Sequence, residues 1–166
     1  VKTVSLTSDR KEIRDNFLKN CSSLTRVSLD CPNLVTIGND FLYYDNALTT
    51  LNFSNISSLT TIGNNFMYYC TQMTSISFPS SQNITTIGNR FMYSLNSLTS
   101  LNLTNLSKIN SIGDEFLYYL KPTSFSLDFL ENVEYIGSYF LGYAAITSID
   151  LNPLWDYFYA NKTPPN

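Results

Sequence analysis

The side chains able to carry chemistry in this chain are three cysteines, thirteen carboxylates, ten lysines and arginines and twelve tyrosines; histidine is absent. Without imidazole there is no Ser-His-Asp or Cys-His nucleophile, no histidine proton shuttle and none of the common histidine-bearing zinc sites. Asp30, Asp40 and Asp45 do not have the D-x-D-x-D-G spacing of a calcium loop, and no glycine-rich loop is placed to cradle a phosphate. Asp114, Glu115, Asp128, Glu131 and Glu134 cluster later in the chain, where turn caps and solvated loops account for them. Cys21, Cys31 and Cys70 are an odd number. Cys21 and Cys70 fall at equivalent places two repeats apart, so about 10 Å should separate them, beyond the ~7 Å that a disulfide can span. All three are read as reduced packing residues. The chain is therefore expected to have no catalytic residue, no metal and no cofactor, and not to be an enzyme.

Composition narrows the partners. Charged residues make up 14% of the 166 positions and the net charge is −3, against roughly 25% charged residues in an average soluble domain. Neither nucleic acid nor an anionic membrane has an electrostatic reason to bind. No apolar run approaches the ~18 residues of a membrane span, so no membrane insertion is expected within this segment. Hydrophobic residues are 43% and aromatic residues 14%, enough apolar surface to offset the entropy of folding. The chain opens at Val1 with no signal-peptide pattern and reads as a fragment or a processed chain.

The elements that position these residues are repeats. Ile-Gly-x-x-Phe ends at Phe41, Phe66, Phe91, Phe116 and Phe140, with an Arg14 variant ending at Phe17, in steps of 24 or 25 residues. So regular a step marks a solenoid. A second phrase, as in Leu48-Thr-Thr-Leu-Asn-Phe53 and Leu98-Thr-Ser-Leu-Asn-Leu103, alternates apolar and polar residues like a half-buried strand. Seven such strands are expected, beginning at Val1, Leu24, Leu48, Met73, Leu98, Pro122 and Ile146. Asp15, Asn39, Asn64, Asn89, Asp114 and Ser138 are expected to cap one or two helical turns. On a helical wheel Phe66, Met67 and Cys70 face inward while Tyr68 points away. Each repeated glycine is expected at positive φ, and Arg14 is expected to distort the first unit.

The order Ile-Gly, Phe, a cysteine four residues on and an apolar residue three further, seen in Leu59–Phe78, resembles the BspA-like leucine-rich repeat of surface proteins. The Asp40, Asn65, Arg90 and Glu115 positions depart from its usual alanine, and only Cys21 and Cys70 occupy its cysteine position. The expected fold is an α/β solenoid, a leucine-rich-repeat right-handed coil with a parallel concave β-sheet and short helical turns on its convex side. About six units should fill 1–151. Residues 152–166, with the cluster Pro153, Leu154, Trp155, Tyr157, Phe158 and Tyr159, would form either a C-terminal cap or an atypical partial repeat.

Two surfaces are candidate sites. The polar strand columns Thr49, Thr50, Asn52, Thr74, Ser75, Ser77, Thr99, Ser100 and Asn102 could present hydroxyls to a ligand, or could simply suit the solvated face of a sheet. Tyr43, Tyr68, Tyr93 and Tyr118, at steps of 25, form either a partner-binding stripe or a stack that protects the layer beneath. Seven Asn-x-Ser/Thr sequons (Asn20, Asn52, Asn55, Asn83, Asn102, Asn105, Asn161) are sites for glycans if the chain is secreted by a eukaryote. The resemblance implies an adhesin-like, extracellular or cell-surface scaffold for a protein or glycan partner. The alternative is a structural module of a cytoplasmic assembly.

Overall fold

The structure, a computed structural model, describes residues 1–78, 83–121 and 125–159. The alternating phrase forms strands β1 (Thr3–Thr7), β3 (Arg26–Asp30) and β5 (Thr50–Ser54), which pair parallel with Thr3, Arg26 and Thr50 in register. Strands β7 (Ser75–Ser77) and β9 (Ser100–Asn102) pair in the same sense. Val27, Leu29, Leu51 and Ile76 point into the core, and the residues between them point out. Five of the seven expected strands thus form. Phe125–Leu127 and residues 146–151 are not strands, while residues 122–124 lie outside the described set. Toward this end the 3-10 segments Thr104–Leu106, Asp128–Leu130 and Asn152–Leu154 stack on one another, each burying a leucine.

A second parallel sheet, not anticipated from the sequence, runs along another side of each coil. Its two-residue strands are β2 (Glu12–Ile13), β4 (Thr36–Ile37), β6 (Thr61–Ile62), β8 (Thr86–Ile87), β10 (Ser111–Ile112) and β11 (Tyr135–Ile136). The isoleucines align in one buried column. This sheet explains why the helical turns are missing: parallel strands repeat every ~4.8 Å, whereas packed helices need 8–10 Å. No helical turn follows any of the six predicted caps among the described residues. Instead alternate residues turn left-handed, as at Asn65 (φ 58°), Met67 (55°) and Tyr69 (60°). Their N–H groups reach neighbouring coils rather than their own: Asn65 to Asn89 O, Met67 to Phe41 O and Tyr69 to Tyr93 O, each at 2.8–2.9 Å. Left-handed backbone costs a non-glycine residue roughly 1–2 kcal/mol, which the inter-coil ladder offsets. Among the described residues no left-handed position holds Val, Ile or Thr, the residues least able to adopt it. With parallel strands about 4.8 Å apart on two sides of each coil, the helical layer expected on the convex side is absent among the described residues.

The predicted caps take another role. The Asn64 amide N–H donates to Asn39 Oδ1, Asn89 N–H to Asn64 Oδ1 and Asp114 N–H to Asn89 Oδ1, each at 2.8 Å, with Asp15 starting the ladder and Ser138 ending it. No glycine has positive φ. The Ile-Gly glycines are needed because coils meet there: a Cβ on Gly63 would lie 2.7 Å from Gly38 C and 2.8 Å from Asn39 N. Arg14 causes no distortion at this point, since β2 pairs with β4 in the common register and the described chain places no coil against it on the other side.

The core is a stack of rings. Phe17, Phe41, Phe66, Phe91, Phe116 and Phe140 follow one another with centroids 5.2–6.3 Å apart. Phe66, Met67 and Cys70 are fully buried, as the wheel places them, although the segment is not helical. At the far end helix α1 (Trp155–Tyr159) brings Tyr157 over the last rung, where its hydroxyl lies 3.3 Å from Ile136 N and 3.4 Å from Ile136 O. Tyr157→Phe is expected to lower stability by about 1 kcal/mol and to speed hydrogen exchange at the Ile136 amide selectively. Unchanged exchange there would refute the contact.

Candidate functional site

The strand face carries the polar columns, but they are not equivalent. Thr25, Thr49 and Thr99 turn their hydroxyls back onto the preceding coil, donating to Lys2 O (2.8 Å), Thr25 O (3.1 Å) and Thr74 O (3.1 Å). The hydroxyls of Thr25, Thr49 and Thr99 clamp coil to coil and have little left for a ligand, whereas Thr74 lends only its carbonyl and keeps an exposed hydroxyl. Thr50 is half-buried beside Thr49. Asn102 is exposed, but its Oδ1 accepts from Thr104 N and Oγ1 in a local turn. Asn52, Ser75, Ser77 and Ser100 are exposed and have no side-chain partner among the described residues. The nine predicted positions therefore divide into a structural column and an open patch on β5, β7 and β9.

The tyrosine stripe is a stack. Tyr43, Tyr68, Tyr93 and Tyr118 have centroids 4.8–4.9 Å apart and interplanar angles of 5°, 29° and 10°. Lys19 covers the outer face of Tyr43, its Nζ 4.6 Å from the ring centre, and also pairs with Asp40 at 2.7 Å. A second, outer stack runs alongside: Tyr44 on Tyr69 at 5.0 Å and Tyr119 on Tyr143 at 5.2 Å, with Ser94 where the middle tyrosine would stand. Ring faces of the half-buried inner stack are thus occupied by other rings, whereas Tyr44, Tyr119 and Tyr143 of the outer stack are exposed. Burial above all, then the crowd of neighbouring phenols, pushes the Tyr93 hydroxyl up to about 12. Tyr68 moves the same way for the same cause.

One chemically distinctive residue escaped the sequence reading. Asp45 is fully buried. It occupies the column of Cys21, Cys70, Leu95 and Leu120, four residues after each core phenylalanine. Its Oδ1 accepts the Cys21 N–H at 2.5 Å, while Oδ2 has no partner. Burial pushes its carboxyl up to about 6, partly opposed by that hydrogen bond. Burial likewise raises the Cys70 thiol, with the Asp45 charge adding to it. The signal was available in the alignment of columns, where one acid interrupts an apolar series. Cys21, Cys31 and Cys70 are free thiols, and no three cysteine or acid side chains converge as a metal ion would require among the described residues. No helix among them is long and apolar enough to cross a membrane.

Stacked parallel strands, an isoleucine column and a phenylalanine spine at 24–25-residue spacing define a leucine-rich-repeat solenoid. The family model for the BspA type leucine rich repeat region matches in six copies over residues 1–60 and 35–161, and the chain belongs to this family. Among solved structures it is similar to a T. pallidum leucine rich repeat protein (18% identity, TM-score 0.54), with 88% of this chain and 78% of that one covered. A leucine-rich repeat protein from Bacteroides ovatus is also similar (18% identity, TM-score 0.45), over 82% of this chain and 42% of that one. At this identity the likeness to the T. pallidum protein shows the fold alone. No curated protein matches the chain.

Proposed function

We propose that the solenoid is a non-catalytic binding scaffold whose contact surface is the strand face around Asn52, Ser75, Ser77 and Ser100. The observation that carries this reading is the contrast within the face. The Thr49 and Thr99 hydroxyls are tied into the fold, whereas the neighbouring hydroxyls and amide are exposed and unengaged. Such groups both donate and accept hydrogen bonds without a charge to select for ions, which suits a neutral glycan or the polar surface of a protein. Membership in a family typical of surface-associated bacterial proteins supports an adhesin-like role at the cell surface. The tyrosine stripe is the weaker candidate for a contact face, because its rings are stacked on one another. Residues Asn152–Tyr159 are best read as a C-terminal cap, since Tyr157 closes on the last rung.

The test is a binding screen of the chain against a glycan array and a panel of surface proteins, repeated with Ser75→Arg/Ser100→Arg. Both substitutions lie on exposed strand positions and should leave thermal unfolding within about 0.5 kcal/mol of the parent. At least a tenfold loss of affinity for any ligand found is expected. Binding that survives both substitutions, but is lost on altering Tyr44 and Tyr119, would transfer the role to the tyrosine side.

A further inference from the structure

The outer tyrosine stack combines face contact with access to solvent: Tyr44, Tyr119 and Tyr143 are exposed, whereas the equally stacked inner rings Tyr43, Tyr68, Tyr93 and Tyr118 are half-buried. Tyr44 and Tyr69 lie parallel within 6° at 5.0 Å, and Tyr119 and Tyr143 within 27° at 5.2 Å. Tyr44, Tyr119 and Tyr143 are 38%, 43% and 73% exposed. The partners come from successive coils, so sequence-distant rings are held in contact by the inter-coil ladder that carries Tyr44 N–H to Tyr68 O and Tyr119 N–H to Gly142 O. Contact held in this way replaces a bimolecular encounter with an intramolecular one, the largest single advantage a reacting pair can be given.

We propose that these two pairs are sites of oxidative cross-linking, joining Tyr44 to Tyr69 and Tyr119 to Tyr143 as dityrosine when the chain meets a peroxide-driven one-electron oxidant such as a haem peroxidase. Each phenol gives one electron to the oxidant and its hydroxyl proton to water. The two resulting radicals join through a carbon ortho to each oxygen, and the two ring hydrogens at the new bond move to the oxygens as the rings regain aromaticity. One hydrogen peroxide is reduced to two waters for each cross-link, and the chain loses two hydrogen atoms. The bond links successive coils and so staples the solenoid along its axis. Ser94 interrupts the series: buried at 4% exposure between the two pairs, it leaves Tyr69 and Tyr119 two coils apart. Exposed Tyr135 has no ring contact among the described residues and exposed Tyr159 has Trp155 beside it at 4.0 Å, which makes them internal controls for exposure without a stacked tyrosine.

The experiment treats dilute folded chain with haem peroxidase and hydrogen peroxide, isolates the monomer and maps linked peptides by mass spectrometry. Intrachain links at 44–69 and 119–143 are expected, with none at 69–119. Tyr119→Phe should abolish the 119–143 link and leave 44–69 intact. Ser94→Tyr, which fills the gap at a position already left-handed (φ 61°), should add links to Tyr69 or Tyr119. The proposal is overturned if links form only between chains, if Tyr135 or Tyr159 dominates the intrachain products, if the same pattern appears in urea, or if no tyrosine couples.

Discussion

Asp45→Asn is expected to stabilise the solenoid by about 2 kcal/mol at pH 7.5 and to destabilise it slightly, by about 0.5 kcal/mol, at pH 4. The carboxyl is buried with one oxygen unpaired, and its pKa lies at about 6 in the folded chain, against about 3.9 when unfolded. A raised folded pKa means that the native state holds the proton more tightly. That contribution is fully present below pH 4 and is lost as pH rises to about 6. A shift of some two pH units corresponds to about 3 kcal/mol. Asparagine keeps an oxygen for the Cys21 N–H but leaves its NH2 unpaired, which returns about 1 kcal/mol. Asp40 runs in the opposite direction. Burial works to raise it, but the Lys19 and Asn65 hydrogen bonds bring it below the usual range, so its contribution fades as pH falls. Both proteins share that term, and it cancels in their difference. Urea unfolding at several pH values between 4 and 8 reads the effect directly; parallel curves for parent and variant would show that Asp45 does not titrate in this range.

Gly88→Ala should cost about 3 kcal/mol, the upper end of overpacking penalties. A Cβ there would sit 2.6 Å from Asn64 Oδ1 and 2.7 Å from both Asn64 N and Gly63 C. Two of these are backbone atoms fixed by both the Ile ladder and the Asn ladder, so the coils have to separate. Arg14→Ala in the same column is the matched control. It lies on the first coil, exposed, and should change stability by less than about 0.5 kcal/mol. Equal effects at the two positions would mean that the glycine column is needed for something other than close approach. Thermal or denaturant unfolding decides between these outcomes.

Much of the architecture is legible in the sequence because repetition amplifies weak local signals. A single Leu-Thr-Thr-Leu-Asn-Phe is an ambiguous strand, whereas repetition at a near-constant step fixes strand and inward face for five of the seven copies, those at Pro122 and Ile146 being the exceptions. The phenylalanine column and the separation of Cys21 from Cys70 follow from that step; the inward Met67 and Cys70 came from a helical wheel, and they are buried although no helix forms there. The turn after each Ile-Gly was harder. Asn64 and its equivalents have the chemistry of helix caps, and nothing local distinguishes an oxygen that binds its own chain from one that binds the next coil. The absence of Val, Ile and Thr at the left-handed positions is a usable signal, but only once alternation is suspected.

The candidate surface shows the same division. Sequence placed the polar columns on the outside by their period-two alternation, and the tyrosine stripe there by a helical wheel whose helix does not form; the 25-residue spacing only aligned each column. Which hydroxyls are free depends on atoms about 25 residues away: Thr49 and Thr99 reach carbonyls of the coil before, while Ser75 and Ser100 do not. The length of the repeat, its apolar interior and its neutral, histidine-free surface are properties of the chain itself. The coil spacing, the burial of Asp45 and the pairing of Tyr119 with Tyr143 arise only when coils stack, because each depends on a neighbour that the local sequence does not contain.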